Sequence, residues 1–272
     1  MKLFDLHCDT LSVSDNCKSA VNFDVMREHK ITRVFAVFTP DELRGEAAIK
    51  HFDKLYGRYL EIKNNVSAIL SVENASVLNG DLENVVKLKK CGVKLASFTW
   101  NGENELGYGQ STNRGLKPFG KKCIPIFEKN NITIDVSHRS DKGFEDIAKL
   151  STKPFVATHS NSRKVCNHRR NLTDEQILEI IKRKGLIGLN FYKEFLSKDN
   201  ASSKDILKHA EYILSLGGEN ALAIGTDFDG ADIIEEFDND KKLLGLKNLF
   251  LNNGFSEQIT DKILHKNANE FF

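Results

Sequence analysis

Metal-binding residue types recur in this chain at the ends of short apolar runs. The first run closes on His7-Cys8-Asp9, the third on Glu73, the fifth on His138, the sixth on His159 and the eighth on Asp227, with Asp229 two residues on. Side chains at i and i+2 of a strand share a face. His7 and Asp9 should therefore project together, with Asp5 one step behind, while Phe4, Leu6 and Cys8 face the other way. Neutral imidazoles and carboxylates are zinc ligands. Alone, a histidine at a strand end is more often a hydrogen-bonded structural residue. Together, these side chains are too polar for an ordinary core. A bound cation would neutralise the carboxylates and hold the imidazoles neutral. The set exceeds what one catalytic zinc takes from a protein, which favours a pair of ions.

Residues so far apart meet only if the strands carrying them end on one side. Eight runs read as strands: Leu3–Cys8, Arg33–Phe38, Ser67–Val72, Lys94–Thr99, Thr133–Val136, Pro154–Thr158, Gly185–Phe191 and Ala221–Gly225. Most are continuously apolar, as parallel strands covered on both faces are. Helical periodicity fills Ile49–Lys63, Phe119–Asn130, Asp141–Leu150, Thr173–Lys184 and Ser203–Leu216. Asp141 is placed to cap its own helix, Thr173 with Gln176 fits a capping box, and Gly217-Gly218 fits a helix stop. Phe255–Phe272 reads as a final amphipathic helix on the exterior.

This alternation over 272 residues predicts an α/β fold, a (β/α)8 TIM-type barrel, as one domain spanning 1–272. In such a barrel every strand opens its C-terminal end on one mouth. A doubly wound sheet would carry a glycine-rich phosphate turn after its first strand. His7-Cys8-Asp9 stands there instead, and the Gly185/Gly188 pair is no substitute.

Basic and acidic residues number 39 and 38, a formal charge of +1 with both signs scattered. That excludes a nucleic-acid face and a polybasic membrane patch. Lys87-Leu88-Lys89-Lys90 reads as a solvated helix face. The five cysteines are odd in number, widely spaced and lack a CxxC pair, so neither a disulfide framework nor a cysteine zinc site is expected. No apolar leader precedes Leu3, and no run is long enough to span a membrane. A cytoplasmic setting is the expectation. His29, His51, His209 and His265 fall outside the strand ends and read as surface residues. His168, in the loop after the sixth run, stays unassigned, and Glu103 and Glu105 read as loop charges.

Several segments resemble the renal (membrane) dipeptidase family of binuclear zinc peptidases. They are Phe4 to Thr10, Ser71 to Ala75, Thr99 to Asn104, Gly115 to Gly120, Ile134 to His138, Thr158 to Arg163, Arg169 to Asn171 and Gly225 to Gly230. They occur in the family's order and cover nearly the whole chain. The resemblance implies a metallo-dependent hydrolase-like barrel with two Zn2+ ions per chain. His7 and Asp9 would hold the first, Glu73 would bridge both, and His138 and His159 would hold the second. Asp227 would shuttle the proton, Arg170 rather than Arg169 would bind the substrate's free carboxylate, and Tyr192 would line the pocket. The implied activity is zinc-dependent hydrolysis of dipeptides through a metal-bridging hydroxide, with acceptance of a C-terminal D-residue left open by the sequence.

One position departs from the animal members, which carry a histidine where this chain has Trp100. Indole donates one hydrogen bond and does not titrate. The expected partner is therefore a small dipeptide, with no nucleic acid and no membrane, and a homodimer is compatible with the sequence. The competing readings are a related barrel amidohydrolase acting on another amide or a lactone, and a non-catalytic degenerate barrel. Fold alone does not separate them.

Overall fold

The computed structural model describes residues 1–14 and 16–272. Seven parallel strands form one sheet: β1 Leu3–Cys8, β2 Ile31–Phe38, β3 Ser67–Glu73, β4 Val93–Ser97, β5 Thr133–Asp135, β6 Ile187–Leu189 and β7 Leu222–Ile224. Their order is β5-β4-β3-β2-β1-β7-β6. The chain thus starts near the middle, builds one side outward, and then builds the other. All six residues of β1 are buried, as its unbroken apolar run predicts for a strand covered on both faces.

The expected eighth strand, Pro154–Thr158, is not a strand. Only Val156 and Ala157 bond to the sheet: Val156 bridges Asp135 at one edge and Ala157 bridges Ile187 at the other. Pro154 has no N–H to donate. The N–H of Thr158 turns to the Asp135 carboxylate at 3.1 Å instead of continuing a ladder.

Phe4, Leu6, Val34, Leu95, Val156, Leu186 and Ala223, drawn from six neighbouring segments, form an apolar cluster enclosed by the curl of the sheet. Leu3, Cys8, Ile31, Phe35 and Val37 belong to the larger cluster shared with the helices. Burying each large side chain contributes about 1.5–3 kcal/mol.

The first strand holds a correction. The β1–β2 register shifts between Asp5 and Cys8, where three steps of β1 oppose two of β2. A bulge of this kind re-aims the side chains around it. Asp5 therefore leaves the face of His7 and turns to Arg33 of β2, whose Nε donates to Asp5 Oδ2 at 2.8 Å. Leu6 lies in the enclosed cluster and Cys8 in the helix-facing one.

Helix Asp141–Leu150 is capped by Ser140, whose hydroxyl accepts from Gly143 N; Asp141 is its first residue. Helix Asp174–Lys182 opens with the expected Thr173–Gln176 capping box. After helix Ser203–Ser215, Gly217 takes φ +89°, the left-handed conformation of a helix stop.

The C-terminal segment contains helix Glu257–Asp261, a π-helical turn Lys262–Lys266 and helix Asn267–Phe271. It does more than cover the exterior. Ala268 joins the enclosed cluster and Phe272 stacks on Phe4 with ring centroids 5.4 Å apart. The segment thereby covers the N-terminal end of the sheet. Among the described residues, no helix is long and apolar enough to cross a membrane.

Candidate active site

At the C-terminal ends of the strands lies a cavity of about 610 Å³ lined by Asp9, Glu73, His138, Arg170, Tyr192 and Asp227, among others. His7 and His159 lie beneath it, fully or almost fully buried. His7 Nε2 is 3.3 Å from Asp9 Oδ2, 3.7 Å from Glu73 Oε2 and 3.8 Å from Asp227 Oδ1. The other oxygen, Glu73 Oε1, is 2.9 Å from His138 Nε2 and 3.6 Å from His159 Nε2. Glu73 thus has one oxygen towards His7 and the other towards His138 and His159. All six strand-end residues expected to meet do so.

The chain turns sharply where it delivers these side chains. His138, Asp227 and Asp229 have φ of +64°, +65° and +65°, and Asn74, next to Glu73, has +67°. Such conformations cost non-glycine residues about 1–3 kcal/mol each and persist only where the surroundings hold them. Asn74 is held by Thr39 O, which accepts from its Nδ2 at 2.7 Å, and by Asn104. Asp229 accepts from Thr10 Oγ1, Ser19 Oγ and Ala20 N within 2.7 Å, so it anchors the loop after β1.

Burial and charge set the protonation. Burial and the nearby carboxylate of Asp9 raise Glu73 well above the usual carboxylate range. Burial alone would lower His7, but Asp9, Glu73 and Asp227 outweigh it and push it up to about 10. Burial, then the charges of Arg170 and His7, hold His138 and His159 well below the ordinary histidine value. Burial raises Asp227, with Asp9 adding to it and His7 opposing.

The donor set fits a cation. Thr158 Oγ1 gives its proton to Asp135 Oδ2 at 2.5 Å, so it accepts from His159 Nδ1 at 2.9 Å. Asn101 Oδ1 accepts from His138 Nδ1 at 2.9 Å. Both Nδ1 protons are thereby committed, and the two Nε2 lone pairs face each other at 2.9 Å. A shared cation relieves that repulsion. Asp9 Oδ1 and Glu73 Oε1 are buried with no hydrogen-bond partner. The ligand atoms of His7, Asp9 and Asp227 lie within 4.8 Å of one another, as do those of His7, Glu73 and His159.

The profile of the membrane dipeptidase family, peptidase family M19, matches residues 58–270. The chain belongs to this family. It is 32% identical over 215 residues to a Klebsiella pneumoniae protein described only by its position beside pqqA, covering 74% of this chain and 79% of that one. It is 25% identical over 180 residues to an uncharacterized dipeptidase of Schizosaccharomyces pombe, covering 64% of this chain but only 44% of the yeast protein. Among solved structures, a metallopeptidase from Rhodobacter sphaeroides, bound to a phosphinate mimic of L-Ala-D-Ala, superposes with TM-score 0.93 at 24% identity. The match covers 99% of this chain and 98% of that one. A dipeptidase of family M19 superposes with TM-score 0.93 at 25% identity, covering 99% and 97%. Membership makes the chain a metallo-dipeptidase.

Arg170 is 5% exposed and lines the cavity, whereas Arg169 is exposed and reaches out to Gln110 O and Ser111 O. Tyr192 is half-buried in the cavity wall, its ring edge-on to Phe195 at 4.7 Å. His168 also lines the cavity, and its Nδ1 accepts from Arg170 N at 3.2 Å. His209, expected at the surface, is fully buried, accepting from Ser162 N and bonding Leu196 O. Residues without an expected role also serve the site. Asn190 Nδ2 donates to Asp227 Oδ2 at 2.9 Å, and Asn101 and Thr158 fix two imidazoles. One signal was available: Thr158 and Thr226 each stand directly before a candidate residue.

Proposed function

We propose that this chain is a two-zinc dipeptidase. The observation that carries the reading is Glu73, whose two oxygens face His7 on one side and His138 with His159 on the other. In this reading His7 and Asp9 hold one ion, His138 and His159 the other, and Glu73 both. The ions supply an activated water and a polarised scissile carbonyl. We read the curled sheet as a (β/α)8 barrel completed at residues 155–158, in a single catalytic domain.

Asp227 accepts the proton of the attacking water and passes it to the leaving amine. Its Oδ2 is held by Asn190, which leaves Oδ1 turned to the ligand side. Arg170 takes the substrate's C-terminal carboxylate. Among the described residues its buried Nε has no hydrogen-bond partner, and Nη2 donates only to His159 O, at 3.5 Å. Most of its hydrogen-bond donors are therefore free among the described residues, and a carboxylate satisfies its fork. Tyr192 and Trp100 close the cavity around the substrate. The Rhodobacter structure was solved with an L-Ala-D-Ala mimic, which supports including a C-terminal D-residue among the substrates. Five free cysteines support a reducing, cytoplasmic setting.

The test is the metal content of the purified protein and its turnover of a dipeptide panel that includes L-D pairs. We expect two zinc equivalents and hydrolysis. A protein that takes up no zinc, and cleaves no dipeptide with zinc or manganese supplied, would overturn the reading.

A further inference from the structure

Beneath the candidate ligands, one hydrogen-bond pattern occurs twice. Asp5 Oδ1 accepts from His7 N at 3.3 Å and Thr226 N at 2.8 Å, and its Oδ2 accepts from Thr226 Oγ1 at 2.6 Å. Asp135 Oδ1 accepts from Ser137 N at 2.9 Å and Thr158 N at 3.1 Å, and its Oδ2 accepts from Thr158 Oγ1 at 2.5 Å. In both, one oxygen takes the N–H two residues ahead together with the N–H of a threonine on the neighbouring segment. The second oxygen takes that threonine's hydroxyl. In both, the threonine directly precedes a candidate residue, Asp227 in one case and His159 in the other.

Each aspartate thereby ties together two chain segments that deliver site residues. The Asp5 clamp joins the end of β1, with His7, to the turn after β7, with Asp227. The Asp135 clamp joins the end of β5, with His138, to the segment carrying His159. No side-chain bond runs from one clamp to the other among the described residues. All four participants are buried.

The clamps differ in two respects. Asp5 is backed by Arg33, which reaches on to Asp240 with Nη2 2.7 Å from Oδ1, and all three side chains are fully buried. Among the described residues no guanidinium is hydrogen-bonded to Asp135, but its threonine also fixes the tautomer of His159.

We propose that Thr158 and Thr226 are positioning residues that hold the two halves of the metal site separately. Thr158 on Asp135 sets the His138/His159 half, and Thr226 on Asp5 sets the His7 half and, beside it, the proton-carrying Asp227. This rests on the two-ion reading. Partners behind metal ligands typically contribute about 10–100-fold to metal affinity. Replacing either hydroxyl by a methyl should weaken one ion by a factor of that order and spare the other.

The experiment is zinc titration of the full chain against a competing chromophoric chelator, with no substrate present. Wild type should bind two ions. Thr158→Val and Thr226→Val should each weaken one, and Thr158→Ser and Thr226→Ser should restore both. On a His138→Ala background, Thr158→Val should leave the remaining ion unchanged, while Thr226→Val weakens it. Equal loss of both ions in either valine variant, or serine variants as weak as valine, overturns the clamps and leaves the two-ion reading standing. A single ion in wild type overturns both. Nitrogen NMR of wild type guards against a valine variant that fails to fold: His159 should carry its proton on Nδ1 in the metal-free protein, and a proton on Nε2 refutes the Thr158 clamp.

Discussion

Replacing Arg170 by alanine should separate substrate binding from protein stability. Arg170 is 5% exposed, its guanidinium lies 5.1 Å over the Phe195 ring, and among the described residues its side chain makes one hydrogen bond, 3.5 Å to His159 O. Little inside the protein depends on it, so unfolding free energy should change by less than about 1 kcal/mol. A substrate carboxylate would gain two charge-assisted hydrogen bonds there, each contributing about 1.5–3 kcal/mol. Allowing for partial solvent compensation, about 3–4 kcal/mol is at stake, which corresponds to roughly a 100- to 1000-fold loss in kcat/KM. The assay compares a dipeptide with its C-terminal amide on wild type and on Arg170→Ala. Wild type should strongly prefer the free acid, and the variant should lose most of that preference. Equal losses for acid and amide, or a loss below about 3-fold, would refute the carboxylate-clamp argument.

Three further outcomes follow from buried groups. Burial lowers His209 to about 4. Its folded value lies below the unfolded one near 6.5, so the folded protein binds fewer protons between those values. The His209 contribution should therefore be constant above pH 6.5 and fall by about 3 kcal/mol as pH drops towards 4. Urea titrations of His209→Gln should show a shallower slope across that window, whatever its level at pH 7, and an unchanged slope contradicts the assignment. Arg33→Met leaves the fully buried carboxylates of Asp5 and Asp240 without their cation, so it should cost about 3–5 kcal/mol, read as the shift in urea midpoint. Gly225→Ala would put a Cβ 1.8 Å from Thr158 O, a backbone atom, and should destabilise by at least about 3 kcal/mol; a soluble variant with an unchanged melting temperature would contradict the close approach.

Reading by strand ends found His7, Asp9, Glu73, His138, His159 and Asp227 because each follows an apolar run, and a parallel sheet puts those ends on one side. The reading failed where a neighbouring segment decides. Strict alternation placed Asp5 beside His7, but the β1–β2 bulge turned it to Arg33. Pro154–Thr158 looked like a strand by composition, but its proline and the Asp135 carboxylate leave only two residues to bond with the sheet. His209 sits in a polar helical sequence and looked exposed. Its burial depends on Ser162 and Leu196, which come from other segments.

The amino-acid sequence by itself determined which residue types stand at the strand ends and that the strands run parallel, because both follow from local pattern. Tertiary structure alone decided which oxygen of Glu73 faces which histidines, and that Asp5 and Asp135 hold the strand ends from behind. Those facts depend on register and on side-chain direction between segments up to 221 residues apart. No local pattern encodes the distance between two strands that meet only after the chain has folded.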